Sequence, residues 1–224
     1  FGATQLSNLS TEAASALDAA QIAALNATQV RSFSVTQLGD LSATDVAEFA
    51  VTQLAALSTT QVRAFTETNM AELADTQIAA FTTSQIQALS TGNLTAFADS
   101  QIAALTNTQV AALTTSQVQA LTETNVAALT ETQAGALTAT QIANLSTDAF
   151  SALEASHIAA LNATQIRAVT ATQLAAIDET DIAEFVETQV AAFTTTQVQA
   201  LNATNFAALA DTQVAALTAG QIQA

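Results

Sequence analysis

The chain contains no proline, cysteine, tryptophan, tyrosine or lysine, and only five glycines and one histidine among its 224 residues. Each absence removes a class of function. Without cysteine there is no disulfide framework, no thiolate metal site and no thiol nucleophile, so the redox compartment is not written in the sequence. Five isolated glycines make no phosphate-cradling loop. Basic charge is limited to Arg31, Arg63 and Arg167, against 19 acids and a net charge of -16. That balance repels phosphate backbones and anionic membrane surfaces, so no nucleic-acid partner is expected. No apolar run approaches the roughly 18 residues of a membrane span, so no insertion is expected either. The chain opens on Phe1 with no initiator Met and no signal-peptide pattern, and reads as a processed product or a segment of something longer.

What is present is repetition. Counted from Phe1, the sequence divides without an insertion into 28 octads, such as LTTSQVQA (113–120) and LTETNVAA (121–128). Position 1 is Leu, Phe, Ile or Val throughout, and position 6 is always apolar. Position 8 is Ala in 21 of 28 and position 5 is Gln in 19 of 28, so the unit is defined at four places and not only at its apolar ones.

Each octad carries a helix start. Position 2 is Ser, Thr, Asn or Asp in 21 of 28 octads, residues whose side-chain oxygen accepts from an orphan N–H of the first turn. Gln three residues later completes a capping box, and the apolar residues at positions 1 and 6 occupy the two ends of a hydrophobic staple. One continuous helix is excluded, because eight residues at about 100° each rotate successive octads by about 80° and scatter the apolar pair around the axis. A β-solenoid is excluded by the lack of period-two alternation and the scarcity of Gly and Asn for corners. The sequence therefore predicts an all-α solenoid of very short helices, one per octad. Such helices are too short to persist alone and must be held by their neighbours. Positions 1 and 6 are expected inside (Val118, for example, but not Gln119), with Ala at position 8 allowing close backbone approach.

A slower rhythm overlies the octad. Gln at position 5 is replaced at Ala13, Asp45, Asn69, Asn93, Asn125, Ala149, His157, Asp181 and Asn205. Setting His157 aside, successive departures lie three or four octads apart. Arg or Gln at position 7 (Arg31, Arg63, Gln87, Gln119, Arg167, Gln199, Gln223) keeps the same beat, apart from one six-octad gap that makes two steps with Ala143 in the missing slot. A mixture of three and four is what a superhelix of roughly 3.5 octads per turn prints, just as an α-helix prints 3.6. Two such turns make seven octads, and FTETNMAE (65–72), LTETNVAA (121–128) and IDETDIAE (177–184) are successive translations by seven octads. Residues 1–224 thus read as a single continuous array of four super-repeats. The acids cluster in and just after the octads that lack Gln, which predicts one acidic face and one neutral face.

No residue is assigned a catalytic, cofactor-binding or metal-binding role, and neither an enzyme nor a cofactor is expected. His157 stands where Gln usually caps and reads as a cap substitute, with no Cys or second His to join it. Asp178, Glu179, Asp181 and Glu184 form the densest carboxylate group, but without an EF-hand or glycine-rich calcium pattern. The hydroxyls are explained by capping, and no base stands beside them. The Asn-Ala-Thr tripeptides at 26–28, 162–164 and 202–204 place Asn at the cap position, so their match to a glycosylation acceptor follows from the octad. Thr-x-Thr pairs such as Thr138 and Thr140 sit at helix starts and not on the flat strand of an ice-binding array.

The LTxxQVxA phrase resembles the octapeptide arrays of very large, secreted, acidic bacterial repeat proteins, and the resemblance spans the whole chain. It implies an extracellular or cell-surface structural role. The phrase is also similar to the opening of TAL-effector repeats, but the longer repeat, base-reading pair and basic surface of those proteins are missing. The expected function is therefore a structural extracellular solenoid, either joining head to tail with copies of itself or serving as a stalk or spacer. The alternative is an adhesin or scaffold holding a surface protein or glycan on one face.

Overall fold

The computed structural model describes residues 1–223. Among these it contains 28 α-helices of four to six residues and no strand, one helix per octad. They fall into two compact units, Phe1–Leu113 and Thr114–Ala224. The first holds α1 (Ala3–Ser7) to α14 (Asn107–Ala112), the second α15 (Thr115–Ala120) to α28 (Ala219–Ile222). Each unit is built in the same way.

The local cause is the cap. In α15, the Thr114 hydroxyl accepts from the Gln117 N–H at 3.3 Å, and the Gln117 side-chain oxygen accepts from the Thr114 N–H at 2.9 Å. Where position 2 is Ala or Val (Ala50, Ala74, Ala98, Val186 and Ala210), only the return half of this exchange remains, from the backbone N–H to Gln Oε1. The helix then stops after one to two turns because positions 1 and 2 of the next octad are both extended. Leu57 has φ −62° and ψ 147°, and Ser58 has φ −72° and ψ 160°. No described residue needs a positive φ, and the bend between helices is made without glycine or proline.

The core is apolar positions 1 and 6, as the octad predicts. Leu54, Val62, Met70 and Ile78 at position 6 are fully buried, and Phe49, Leu57, Phe65 and Leu73 at position 1 nearly so. In the first unit α8 (Thr59–Val62) packs on α11 (Thr83–Ala88), and α11 on α14. In the second, α17 (Glu131–Ala136) packs on α20 (Ala155–Ala160). The principal neighbour of a helix is thus three octads away and not the next helix in the chain.

Close approach uses position 8 together with position 7. A methyl group added at Gly39 would meet the Ala64 carbonyl at 3.3 Å, and one added at Gly135 the Ala160 carbonyl at 3.3 Å. Small residues at both positions let one turn rest on the next.

Candidate functional site

The expected inside set is incomplete: position 5 is also buried. Gln37, Gln53, Gln61, Gln77, Gln85, Gln101 and Gln109 in the first unit are 7% exposed or less. Their Oε1 atoms cap their own helices, and the Nε2 atoms reach back one superhelical turn. Gln85 Nε2 donates to the carbonyls of Leu57 and Leu54, both at 2.8 Å and 28 and 31 residues earlier. Gln53 does the same to Leu25 and Ile22, both at 2.7 Å. In the second unit Gln173 bonds Leu145 and Ile142 at 2.9 and 2.8 Å, and Gln197 bonds Val169 and Ile166, both at 2.7 Å. Each acceptor pair lies at the helix end and bend of the earlier turn, where the i→i+4 ladder has run out and the position-6 carbonyl holds only the N–H three residues on. One side chain therefore closes a helix start and an earlier helix end together. Repeated along each unit, this ladder sets the superhelical turn at 28 residues.

The same geometry explains the departures from Gln. Asn is one methylene shorter and reaches a single carbonyl, Leu41 from Asn69 at 3.1 Å and Phe65 from Asn93 at 2.9 Å. His157 acts as the cap substitute read from the sequence. Its Nδ1 accepts from the Glu154 N–H at 3.1 Å, and its Nε2 meets the Leu129 carbonyl, 28 residues back, at 2.6 Å. That pattern requires a neutral ring with the proton on Nε2. Asp45 and Asp181 keep the cap through Ser42 N–H and Asp178 N–H, but a carboxylate has no proton to give the carbonyls of Leu17 and Leu153.

The ladder is hidden in the sequence because a capping box identifies Gln only as an acceptor. One signal could have exposed it. A capping box accepts Glu as readily as Gln, yet none of the 28 octads carries Glu at position 5. The position needs a donor as well as an acceptor.

Position 7 supplies a second, sparser set of bonds pointing forward. Arg31 Nε donates to the Ala56 carbonyl, Arg63 Nε to Ala88 at 3.3 Å and Gln87 Nε2 to Ala112 at 3.0 Å. Each spans 25 residues to the last residue of a helical octad, where a cation also suits the helix dipole.

With a turn of 28 residues, each residue's place in its turn follows by subtracting multiples of 28. In the first unit the acids fall at places 11 to 20 of the turn, from Glu67 (67 − 56) to Glu48 (48 − 28). In the second they fall at 8 to 19, from Asp148 (148 − 140) to Glu187 (187 − 168). The arginines lie outside these arcs, at 3, 7 and 27. Each unit thus carries its acids on less than half of its circumference.

Asp178, Asp181 and Glu184 do come together in the second unit. Asp178 Oδ1 is occupied by the Thr180 and Asp181 N–H groups at 2.8 and 3.0 Å. Desolvation raises the pKa of Asp181 above the ordinary carboxylate range, with the Asp178 charge adding to it. Desolvation also raises Glu184, followed by repulsion from Asp181, Glu154 and Asp178. Among the described residues, no group of three or more His, Asp or Glu side chains is placed to hold a metal ion. A shallow cleft of about 280 Å³ beside Glu184 is lined by Phe185, Glu187, Thr212 and Gln213. No described helix is long and apolar enough to cross a membrane.

A search among curated proteins gave no match. The family model of the ALTTAQ repeat matches residues 78–115, a stretch that includes the octads FTTSQIQA, LSTGNLTA, FADSQIAA and LTNTQVAA. Over that span the chain is similar to the ALTTAQ repeat, and it is a tandem-repeat protein whose repeated feature is the inter-turn amide ladder.

Proposed function

We propose that this chain is a structural, non-catalytic element that works outside the cell and joins head to tail with copies of itself into a filament. The observation that carries this reading is the ladder. Most octads are completed by the turn before them and the turn after them, so the turn at the end of any array of this kind presents half of its bonding surface to the next turn. Repeat arrays shield such surfaces with polar caps or cover them with further repeats. Contacts between unlike end surfaces propagate into open assemblies unless the rotation closes a ring. The extracellular setting rests on the resemblance of LTxxQVxA to secreted repeat arrays. Sedimentation and electron microscopy of the 224-residue chain over a range of concentrations test the proposal. Elongated oligomers that grow with concentration are expected. A stable monomer at high concentration would reject the filament and leave the stalk or spacer use of the same array.

The segregation of acids favours a second reading, in which one face binds a partner as an adhesin or scaffold. Partner binding that is abolished by neutralising the acidic arc, in a chain that stays monomeric, would support it instead.

A further inference from the structure

Within each unit a helix packs on the one three octads further along, and two steps break this rule. They are α3 (Ala19–Ala23) with α6 (Ala43–Ala47) in the first unit, and α20 with α23 (Glu179–Ala183) in the second, where contact is slight at most. The later helix of each step belongs to an octad with Asp at position 5, LSATDVAE (41–48) or IDETDIAE (177–184), and no other octad has Asp there. The two stand 17 octads apart, one in each unit (181 − 45 = 136).

The surroundings recur with the Asp. Each of these octads ends in Glu, Glu48 or Glu184, and three octads earlier stands an acid at position 2, Asp18 or Glu154. Among the described residues, the buried side-chain oxygens without a hydrogen-bond partner are Glu48 Oε2 and Glu184 Oε2. Glu72, the remaining Glu at position 8, lies in an octad with Asn at position 5 and is exposed. In both steps, then, the Leu17 or Leu153 carbonyl and a buried Glu oxygen face a shortage of donors. The carboxylates are not placed to share a metal ion, and the group that fits is a proton.

We propose that these two steps are proton-operated seams, loose while their carboxylates are ionised and closed when Asp45 and Glu48, or Asp181 and Glu184, take up protons. A protonated Asp has the shape of Asn and can donate to the carbonyl 28 residues earlier, as Asn69 does to Leu41 at 3.1 Å. A proton on the Glu removes charge from a buried oxygen, where an ion is costly. The closed seam holds these protons more tightly than the open one, so acid favours closure. Nothing basic opposes this around the first seam, where the charged groups are Glu12 and Asp18 in the earlier turn and Glu67 and Glu72 in the later one. Around the second they are Asp148, Glu154, Asp178, Glu179 and Glu187, together with His157 on α20, while α26 (Ala203–Ala208), packed on α23, carries no charge. Desolvation, followed by neighbouring charge, raises the pKa of Glu184, and desolvation that of Asp181, against hydrogen bonds from the Asp178 backbone and Ser151.

Amide exchange of the whole chain, followed by mass spectrometry, tests the proposal. After correction for intrinsic rates, exchange in α3, α6, α20 and α23 should slow about tenfold between about pH 7 and about pH 4, while the α8–α11 step stays unchanged. Asp45→Asn/Glu48→Ala gives the first seam the octad pattern of LTETNVAA (121–128). It should leave that seam equally protected at both pH values and the second seam still responsive. Asp181→Asn/Glu184→Ala should do the converse, and the single Asp→Asn changes, with a smaller effect in the same direction, serve if a double variant folds poorly. His157→Gln should leave the response of the second seam in place. A response shared by α8–α11, kept by the double variants or lost with His157→Gln would overturn the proposal. So would closure at neutral pH on adding calcium chloride, which would make a cation the operator.

Discussion

Replacing Gln85 with Glu exchanges one amide for a carboxylate of nearly identical shape and so isolates the donor half of the ladder. Gln85 is 2% exposed. Its Oε1 accepts from the Thr82 N–H at 2.7 Å, a role Glu fills equally well. What is lost is the pair of bonds to Leu54 and Leu57, about 1 kcal/mol each. Leu54 keeps the Leu57 N–H at 3.1 Å as a donor, so one carbonyl is orphaned, at a further ~1–3 kcal/mol. The new carboxyl is also forced to ionise among carbonyl dipoles or to hold a proton. Together these give roughly 3–5 kcal/mol of destabilisation at neutral pH. The loss should shrink in mild acid, where the protonated carboxyl can donate one bond. Gln21→Glu, in the exposed first turn, should change monomer stability by no more than about 0.5 kcal/mol. Urea denaturation gives the totals. Amide exchange across residues 50–90 shows whether the damage stays near one turn, as expected where each repeat touches only its neighbours. Equal stability of the two variants would mean that Gln serves as a cap alone and that the ladder adds nothing.

Substitutions at two sites probe the places where Gln is missing. His157→Gln should lie within about 0.5 kcal/mol of wild type in a thermal or urea melt, because Gln supplies the same acceptor for Glu154 and donor for Leu129. His157→Leu, which strips both, should cost about 2–4 kcal/mol. Asp181→Asn should stabilise the second unit by up to about 1 kcal/mol, by giving the Leu153 carbonyl a donor. It should also flatten the pH dependence. Groups whose folded pKa is raised, here Asp181 and Glu184, contribute stability that is complete below the ordinary carboxylate pKa and is lost as pH rises through the raised value. Amide exchange of the wild type around residues 178–186 should therefore slow, after correction for intrinsic rates, as pH falls from 7 toward ~4. Glu12 and Glu187 are lowered, chiefly by backbone hydrogen bonds. Their effect has the opposite sign and is lost at still lower pH, below the ordinary range.

The short helices and the superhelical turn were both legible because each leaves a periodic trace. Capping chemistry repeats with every octad, and the departures from it repeat every three or four octads. The role of Gln in setting that turn was not legible, because a capping box names only the oxygen of the side chain. Its nitrogen points to a residue 28 places away, at a carbonyl that any amino acid provides. No pattern of residue types can mark such a partner, so the absence of Glu at position 5 tells only that a donor is needed and not where it goes. His157 was readable for the converse reason, since its capping partner Glu154 is only three residues away. The acidic group at 178–184 stands out in the sequence by its density alone, with no calcium-binding pattern. In the fold, Asp178 is spent on two backbone N–H groups, and burial first, then repulsion between carboxylates, raises the pKa values of Asp181 and Glu184.

The ladder also accounts for the absence of any insertion across 28 octads. In most folds a surface bend accepts an extra residue, because loop closure costs little per added residue. Here each bend holds the two carbonyls read by a Gln one turn later. The windows are narrow, as shown by Asn69, which is one methylene shorter than Gln and reaches one acceptor where Gln85 reaches two. An extra residue between a Gln and its acceptors would change the 28-residue spacing of every rung that spans it, three or four rungs in succession. Each of those bends would then present a shifted carbonyl to a buried amide, and a buried amide without its acceptor costs more than the bond had contributed. Strict octad length is therefore a property of the inter-turn contact and not of the single helix, whose four to six residues could grow or shrink without loss of its cap.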